Sequence, residues 1–336
     1  MTEGTDVDLE FEDFDEEDAV PFEVEVAVEL SGLSKTFGDK KAVDELSLEV
    51  ACGEVIGFVG SNGAGKTTTF RILAGLLAPS GGRAKVLGMN VRTDERFIRK
   101  AVGYMPESFG VYDNMSLQEY LDFFAAAYRM ERSERKSTID AVLELTDLSP
   151  LADDLVSGFS RGMQQRACLA KTLLHDPEVL LLDEPASGLD PRARVEFREI
   201  IGELQNMGKT ILISSHVLSE LASVCTRVAI LEAGKLVALD SVAELIHRAY
   251  PTRRFNARFL DEAAAKTAAR EIQNDSRIVD VQPEDRSVQF AAEFSDADVS
   301  KLLAGWVSRG VALVTLEETQ SDLESVFLSL TRGEIQ

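Results

Sequence analysis

The chain has 336 residues, 45% of them hydrophobic, and a formal net charge of −23. That length has room for two domains of about 150 residues each, and the composition can build real cores. The acidic balance argues against a phosphate-neutralising nucleic-acid surface, and no apolar run approaches the ~18 residues that a membrane helix needs.

The charge is uneven. Residues 1–30 contain thirteen Asp or Glu and no Lys or Arg. Such a block repels itself and buries little, so residues 1–27 are expected to form an acidic disordered tail; docking on a basic partner surface is the other reading. The first residues have neither the basic n-region nor the apolar h-region of a secretory signal, and a cytoplasmic protein is expected. Cys52, Cys168 and Cys225 are far apart and form no C-x-x-C pair, which fits a reduced compartment. His175, His216 and His247 have no metal-ligand spacing.

After the acidic segment, residues 24–34 alternate like a strand, 35–38 read as a loop, and 42–50 alternate again. Residues 54–59 form a mostly apolar strand. It runs into Gly60-Ser61-Asn62-Gly63-Ala64-Gly65-Lys66-Thr67, and a helix begins at Thr68. The spacing G-x-x-x-x-G-K-[ST] between a strand and a helix is the phosphate-binding P-loop. Gly60, Gly63 and Gly65 open backbone angles closed to other residues, so successive N–H groups converge on one anion, and the helix N-terminus adds about half a positive charge. Lys66 is expected on the β- and γ-phosphates, and the Thr67 hydroxyl on Mg²⁺.

Pro79-Ser80-Gly81-Gly82 reads as a turn cluster. Residues 101–107 read as a strand entering a Pro-containing loop. From Ser116 the pattern is helical, with a Ser116/Glu119 capping box, and a second helix covers 133–145. Ser160 is a candidate N-cap for a helix through Leu174, which His175-Asp176-Pro177 ends. Residues 179–182 are a continuous apolar run, the mark of a buried parallel strand, and deliver Asp183-Glu184-Pro185 at its carboxyl end, where α/β sheets bind ligands. Residues 193–207 read as helix with Gly208 at C′, 209–215 as strand ending at His216, 217–225 as helix and 227–231 as strand, followed by a hairpin-type turn at 232–235.

The character then changes. A helix over 241–250 leads to a linker at 251–254. Beyond it the chain reads strand (255–259), helix (261–274), strand (278–282), strand (287–291), helix (295–309) and strand (312–317). That β-α-β-β-α-β order is ferredoxin-like. Residues 321–331 read as a closing amphipathic helix. The expected domains are a nucleotide-binding domain over 28–250 and a regulatory or dimerisation domain over 251–336.

Residues 29–245 resemble the nucleotide-binding domain of ATP-binding cassette (ABC) proteins, with several motifs in that family's order and spacing. The fold this implies is an α/β P-loop NTPase with antiparallel β and helical subdomains, followed by a small α+β domain. LLLDEP resembles the Walker B strand with its catalytic glutamate. Asp183 would sit in the Mg²⁺ shell and Glu184 would point at the attacking water, since phosphoryl transfer asks for positioning, charge neutralisation and a base. His216 resembles the switch histidine on the γ-phosphate. Phe159-Ser160-Arg161-Gly162-Met163 resembles the signature Leu-Ser-Gly-Gly-Gln, with Phe159, Arg161 and Met163 as departures. In this family that segment serves the nucleotide of the opposite subunit, so the resemblance implies a head-to-tail homodimer with ATP in the seam. Ser187-Gly188-Leu189-Asp190 resembles the D-loop lying across it.

Phe37 resembles the aromatic that stacks on adenine, although a loop Phe also serves as core. Glu107 stands where the family commonly has Gln, in a loop that senses γ-phosphate and Mg²⁺. Thr68, next to Thr67, completes the expected cofactor-binding set.

Residues 104–128, and DLESVFLSLT near the end, look like the ATPase subunits of ABC-2-type exporters, which pair with a separately encoded integral membrane permease. That implies ATP hydrolysis coupled to transport and a peripheral place on the inner face of the membrane. Phe109, Tyr112, Phe123 and Phe124 either line a groove for a permease helix or pack the helical subdomain. A soluble ABC ATPase acting on ribosomes or DNA, and a regulatory module with little turnover, are the competing readings. The acidic balance opposes the first, and Glu184 with His216 opposes the second.

Overall fold

The computed structural model describes residues 25–107, 110, 114–249 and 252–319. In chain order the elements begin with β1 (Val26–Phe37), β2 (Lys40–Ala51), β3 (Val55–Val59), α1 (Lys66–Leu73), β4 (Gly81–Val86), β5 (Met89–Asn90), α2 (Glu95–Ala101) and β6 (Val102–Met105). Next come α3 (Leu117–Ala127), α4 (Arg132–Leu145), α5 (Arg161–Leu173), β7 (Val179–Leu182), α6 (Pro191–Asn206), β8 (Thr210–Ser215), α7 (Leu218–Leu221), β9 (Arg227–Glu232), β10 (Lys235–Asp240) and α8 (Val242–Ala249). The remainder is β11 (Arg253–Phe259), α9 (Glu262–Ile272), β12 (Ile278–Glu284), β13 (Ser287–Ala292), α10 (Asp296–Ser308) and β14 (Leu313–Thr319). No described helix is long and apolar enough to cross a membrane.

Two compact units account for the described chain. The first holds the residues up to Glu54, Thr67–Asp183 and Gly188–Leu212; the second holds Val55–Lys66, Glu184–Ser187 and the residues from Ile213 onward.

In the first unit, β2-β1-β4-β5 form an antiparallel sheet. Two expectations change here. Residues 35–37 are strand rather than loop, because Lys35, Thr36 and Phe37 pair with Val43, Lys41 and Lys40. The cluster at 79–82 is not wholly turn: β4 starts at Gly81, which pairs with Ser34. The unit also carries strands in the order β8-β7-β6, with β6 parallel to β7. All four residues of β7 are buried, as its unbroken apolar run requires. The Ser116/Glu119 capping box is present at the start of α3.

Asp190 and Ser160 start α6 and α5 as side-chain caps, accepting from the N–H of Ala193 (2.9 Å) and Met163 (3.3 Å). Such caps satisfy helix donors that otherwise lack partners. Phe123 is 46% exposed while Tyr120 and Leu121 are buried, so α3 turns one aromatic outward. Phe109 and Tyr112 lie outside the described residues.

In the second unit the strand order is β10-β9-β3-β8, with β3 parallel to β9. Every β3 residue is buried. The helix expected over 217–225 shrinks to the four residues of α7. The Thr226 N–H and hydroxyl both donate to Val55 O, at 2.8 and 2.9 Å, which draws the chain out of helix and into β9. At the two-residue turn between β9 and β10, the Gly234 N–H donates to Ala64 O at 3.2 Å.

Residues 253–319 follow the expected element order and form an antiparallel sheet, β12-β13-β11-β14. β11 starts inside the expected linker. Phe255, Phe259, Phe290 and the fully buried Trp306 share a core with Ala265, Ala268 and Ile272 of α9. The acidic tail expected over 1–27 and the closing helix expected over 321–331 lie outside the described residues, apart from 25–27.

Candidate active site

The phosphate loop follows from local sterics. A Cβ on Gly60 would lie 2.5 Å from Leu231 O and 2.7 Å from the Ala64 Cβ, so no other residue fits there. Gly63 and Gly65 hold φ of 89° and 105°. Ser61, Asn62 and Gly63 are exposed, whereas Ala64, Gly65 and Lys66 are buried. The loop thus presents its backbone outward on a fixed base.

Lys66, in the second unit, is buried. Its Nζ donates to Gly60 O at 2.5 Å and lies 3.2 Å from Glu184 Oε1. Glu184 is 7% exposed and has φ of 50°, a left-handed conformation that costs a non-glycine residue on the order of 1 kcal/mol or more. Its N–H donates to Ser214 Oγ at 2.8 Å, which holds the strained residue in place. Glu184 Oε2 lies 2.8 Å from His216 Nδ1. A carboxylate only accepts, so Nδ1 carries the proton.

Glu184 Oε1 accepts no hydrogen bond from the described residues although Lys66 is within ion-pair range. The lysine neutralises this oxygen without being aligned as its donor. The oxygen therefore keeps an acceptor position, as a base for a water proton must.

The adjoining residues Thr67 and Asp183 belong to the first unit. Asp183 is 1% exposed. Its Oδ1 accepts from Thr67 Oγ1 at 3.1 Å and its Oδ2 from the Tyr104 hydroxyl at 3.4 Å. Burial first, and the Asp183 charge second, push the Tyr104 hydroxyl pKa upward, with Arg71 opposing. A buried carboxylate flanked by hydroxyls is a hard oxygen donor set that suits a divalent cation such as Mg²⁺. Among the described residues no group of three or more His, Cys, Asp or Glu could hold a metal. Phosphates and water would therefore have to complete its shell.

The other expected residues fall into three places. Ser160, Arg161, Gly162 and Met163 form the capped start of α5, packed on the 188–193 segment. The Asp190 carboxylate serves as the α6 cap in its own chain. Phe37 is half exposed at the end of β1, with Lys35 Nζ 5.0 Å from its ring centre; Glu107 is exposed just beyond β6. Neither Phe37 nor Glu107 joins the Thr67–Asp183 contact, and Thr68 is half-buried in the first turn of α1.

Two partners were not singled out from sequence, Tyr104 and Ser214. Tyr104 carried a signal, since it sits two residues before Pro106 at the carboxyl end of a strand. Ser214 looked like any serine in an apolar strand.

The family model described as ABC transporter matches residues 43–187. "Nod factor export ATP-binding protein I" of Rhizobium sp. (strain N33) is 39% identical over 221 residues, covering 66% of this chain and 73% of that protein. This chain belongs to the ABC transporter family. The namesake from Rhizobium meliloti is 39% identical over 213 residues, and the "Probable multidrug ABC transporter ATP-binding protein YbhF" of Escherichia coli (strain K12) is 37% identical over 221. The match spans 64% and 38% of the lengths of those two proteins.

The ABC cassette fold also appears among solved structures. CbiO1 of Clostridium perfringens, part of the ABC transporter complex cbiONQ, superposes with a TM-score of 0.62 at 26% identity, covering 66% of this chain and 91% of that one. An ATP-binding subunit of an ABC transporter gives 0.60 at 27% identity, covering 66% and 92%. The P-loop and the Asp183-Glu184 pair lie within the matched residues 43–187, and His216 lies beyond them.

Proposed function

We propose that the chain binds and hydrolyses ATP as the energy-coupling subunit of an exporter. The observation that carries this is the contact set around Glu184. One carboxylate oxygen is bonded to His216, and the other is neutralised by the P-loop lysine yet free of an aligned donor. Lys66 would take the β- and γ-phosphates, Glu184 would accept the proton of the attacking water, and His216 would fix the carboxylate and reach the γ-phosphate. The P-loop N–H groups would bind and orient the phosphates, and Phe37 would stack on adenine. Mg²⁺, held by Thr67 and Asp183, would supply neutralisation of phosphate charge, and Glu107 would be a further carboxylate for its shell.

The exposed capped start of α5, with Ser160, Arg161, Gly162 and Met163, and the turn ending at Asp190 support a head-to-tail homodimer in which each copy completes the other's site. The names of the relatives, for Nod factor export and multidrug transport, support a separate membrane permease as partner. The resemblance of residues 104–128 to ABC-2-type subunits supports that class, with the chain held from the cytoplasmic side. The permease would choose the substrate. The ferredoxin-like segment from 251 would regulate or support the dimer.

The purified chain should turn over ATP in the presence of Mg²⁺, with His216→Ala about 10²-fold slower. A tagged chain should bring down an integral membrane protein. Equal rates for wild type and variant would overturn the hydrolytic assignment and favour a low-turnover module, and recovery without a membrane partner would favour a soluble ATPase.

A further inference from the structure

The signature departs from the family pattern most at Arg161, and that residue has a specific neighbour. A Cβ on Gly188 would lie 2.9 Å from both Cζ and Nε of Arg161 and 3.2 Å from Nη1. The guanidinium therefore lies directly on the Gly188 backbone, which holds φ of 69°. One residue on, the backbone of Gly162 approaches α6 closely: a Cβ there would be 3.0 Å from the Ala193 Cβ and 3.9 Å from Leu189 Cδ2. A turn later, Arg166 Nη2 lies 3.7 Å from Glu196 Oε2. Three successive contacts thus join the start of α5 to the 188–196 segment, all within the first unit.

Helix electrostatics do not favour Arg161 where it stands. The first turn of α5 carries no acidic residue, and a cation at a helix N-terminus opposes the macrodipole. The seat on Gly188, which no side chain at 188 would leave open, offsets that.

We propose that Arg161 is a positioning residue that locks the signature turn to the D-loop of its own chain, so that both segments meet a facing nucleotide as one surface. The inference rests on the head-to-tail dimer reading. A signature of the usual Leu-Ser-Gly-Gly-Gln form has no side chain at this position to make such a lock.

The test is steady-state ATP hydrolysis by the full chain with Arg161→Gly, Arg161→Lys, Gly188→Ala and the double variant Arg161→Gly/Gly188→Ala. Arg161→Gly should lower kcat about tenfold with KM within about twofold, because alignment rather than ground-state binding is lost. Arg161→Lys keeps the charge but not the planar fork, and should recover only part of the loss. Gly188→Ala should cost clearly more in the parent chain than in Arg161→Gly, where the collision is gone and only the strain of a left-handed alanine at φ 69° remains.

Losses that multiply independently, or a raised KM with unchanged kcat, would overturn the lock. Wild-type turnover with independent losses refutes the lock alone, whereas a wild type without turnover removes the ATPase reading and this inference together. The lysine and double variants keep the test open if Gly188→Ala fails to fold.

Discussion

Replacing Glu184 by Gln isolates the charge at the centre of the site while keeping its shape. Glu184 Oε1 and Lys66 Nζ are 3.2 Å apart, with side chains 9% and 6% exposed. Two unit charges at that distance attract by about 5 kcal/mol at an effective dielectric of about 20. The variant is relieved of desolvating the carboxylate but leaves Lys66 buried without its counter-charge, so without nucleotide it should lose about 3–5 kcal/mol of stability. Lys66 also keeps Gly60 O as an acceptor.

The variant should also change ATP binding. In the parent chain Lys66 must leave a carboxylate to reach a phosphate; in the variant it leaves only an amide. A surviving difference of about 1.4 kcal/mol makes ATP bind about tenfold more tightly. The variant also lacks the base, so turnover should fall by about 10²–10⁴.

Fluorescent-ATP titration and phosphate release measure the two effects on one preparation, and size-exclusion with light scattering should show an ATP-dependent dimer. Turnover within a factor of about three of the parent would refute the base assignment. Lost turnover with unchanged affinity would show that the Lys66–Glu184 pair does not hold the lysine back.

Gly60→Ala should lose ATP binding and at least about 3 kcal/mol of stability, read by nucleotide titration and urea unfolding, because its Cβ would sit 2.5 Å from Leu231 O. Tyr104→Phe removes one hydroxyl from Asp183 and should raise the Mg²⁺ concentration needed for half-maximal turnover two- to tenfold, on the order of a lost hydrogen bond. Ser295 and then Arg277 hold Asp298 below the usual carboxylate range, Arg277 holds Asp275, and Arg253 holds Glu318. These depressed groups stabilise the 253–319 segment above the ordinary carboxylate values of about 4. That stabilisation is lost as pH falls below them, and screening keeps it modest because the groups are exposed or half-exposed. Near-ultraviolet circular dichroism of Trp306 against pH should therefore show loss beginning below about pH 4, and a loss on raising the pH from 5 to 8 would contradict this.

Elements whose local signal agreed with their pairing were legible in the sequence. β7 matched its continuous apolar run residue for residue, and Ser160 capped α5 because serine before a helix has a local partner to satisfy. Where tertiary pairing overrode local chemistry, the reading failed. Residues 35–37 carry loop-like residues but are held in β1 by β2, and Gly81 begins a strand because Ser34 is opposite. α2 was missed because seven residues show too little periodicity.

Where chemistry and motif coincide, the expected side chains do meet, Lys66 and His216 on Glu184 and, separately, Thr67 on Asp183. The site was hidden where a common residue acts through geometry. Ser214 supports the strained Glu184 by one hydrogen bond, and only the left-handed backbone at 184 shows that the support is needed.

The turn between β9 and β10 looks like a convenient place to add a tag or reporter, being short and far in sequence from the P-loop. Its Gly234 N–H, however, is anchored on Ala64 O, inside the loop that would cradle the phosphates. An insertion there would remove a strut of that loop. A labelled chain built this way should fold and yet bind nucleotide poorly, a defect easily mistaken for a catalytic one.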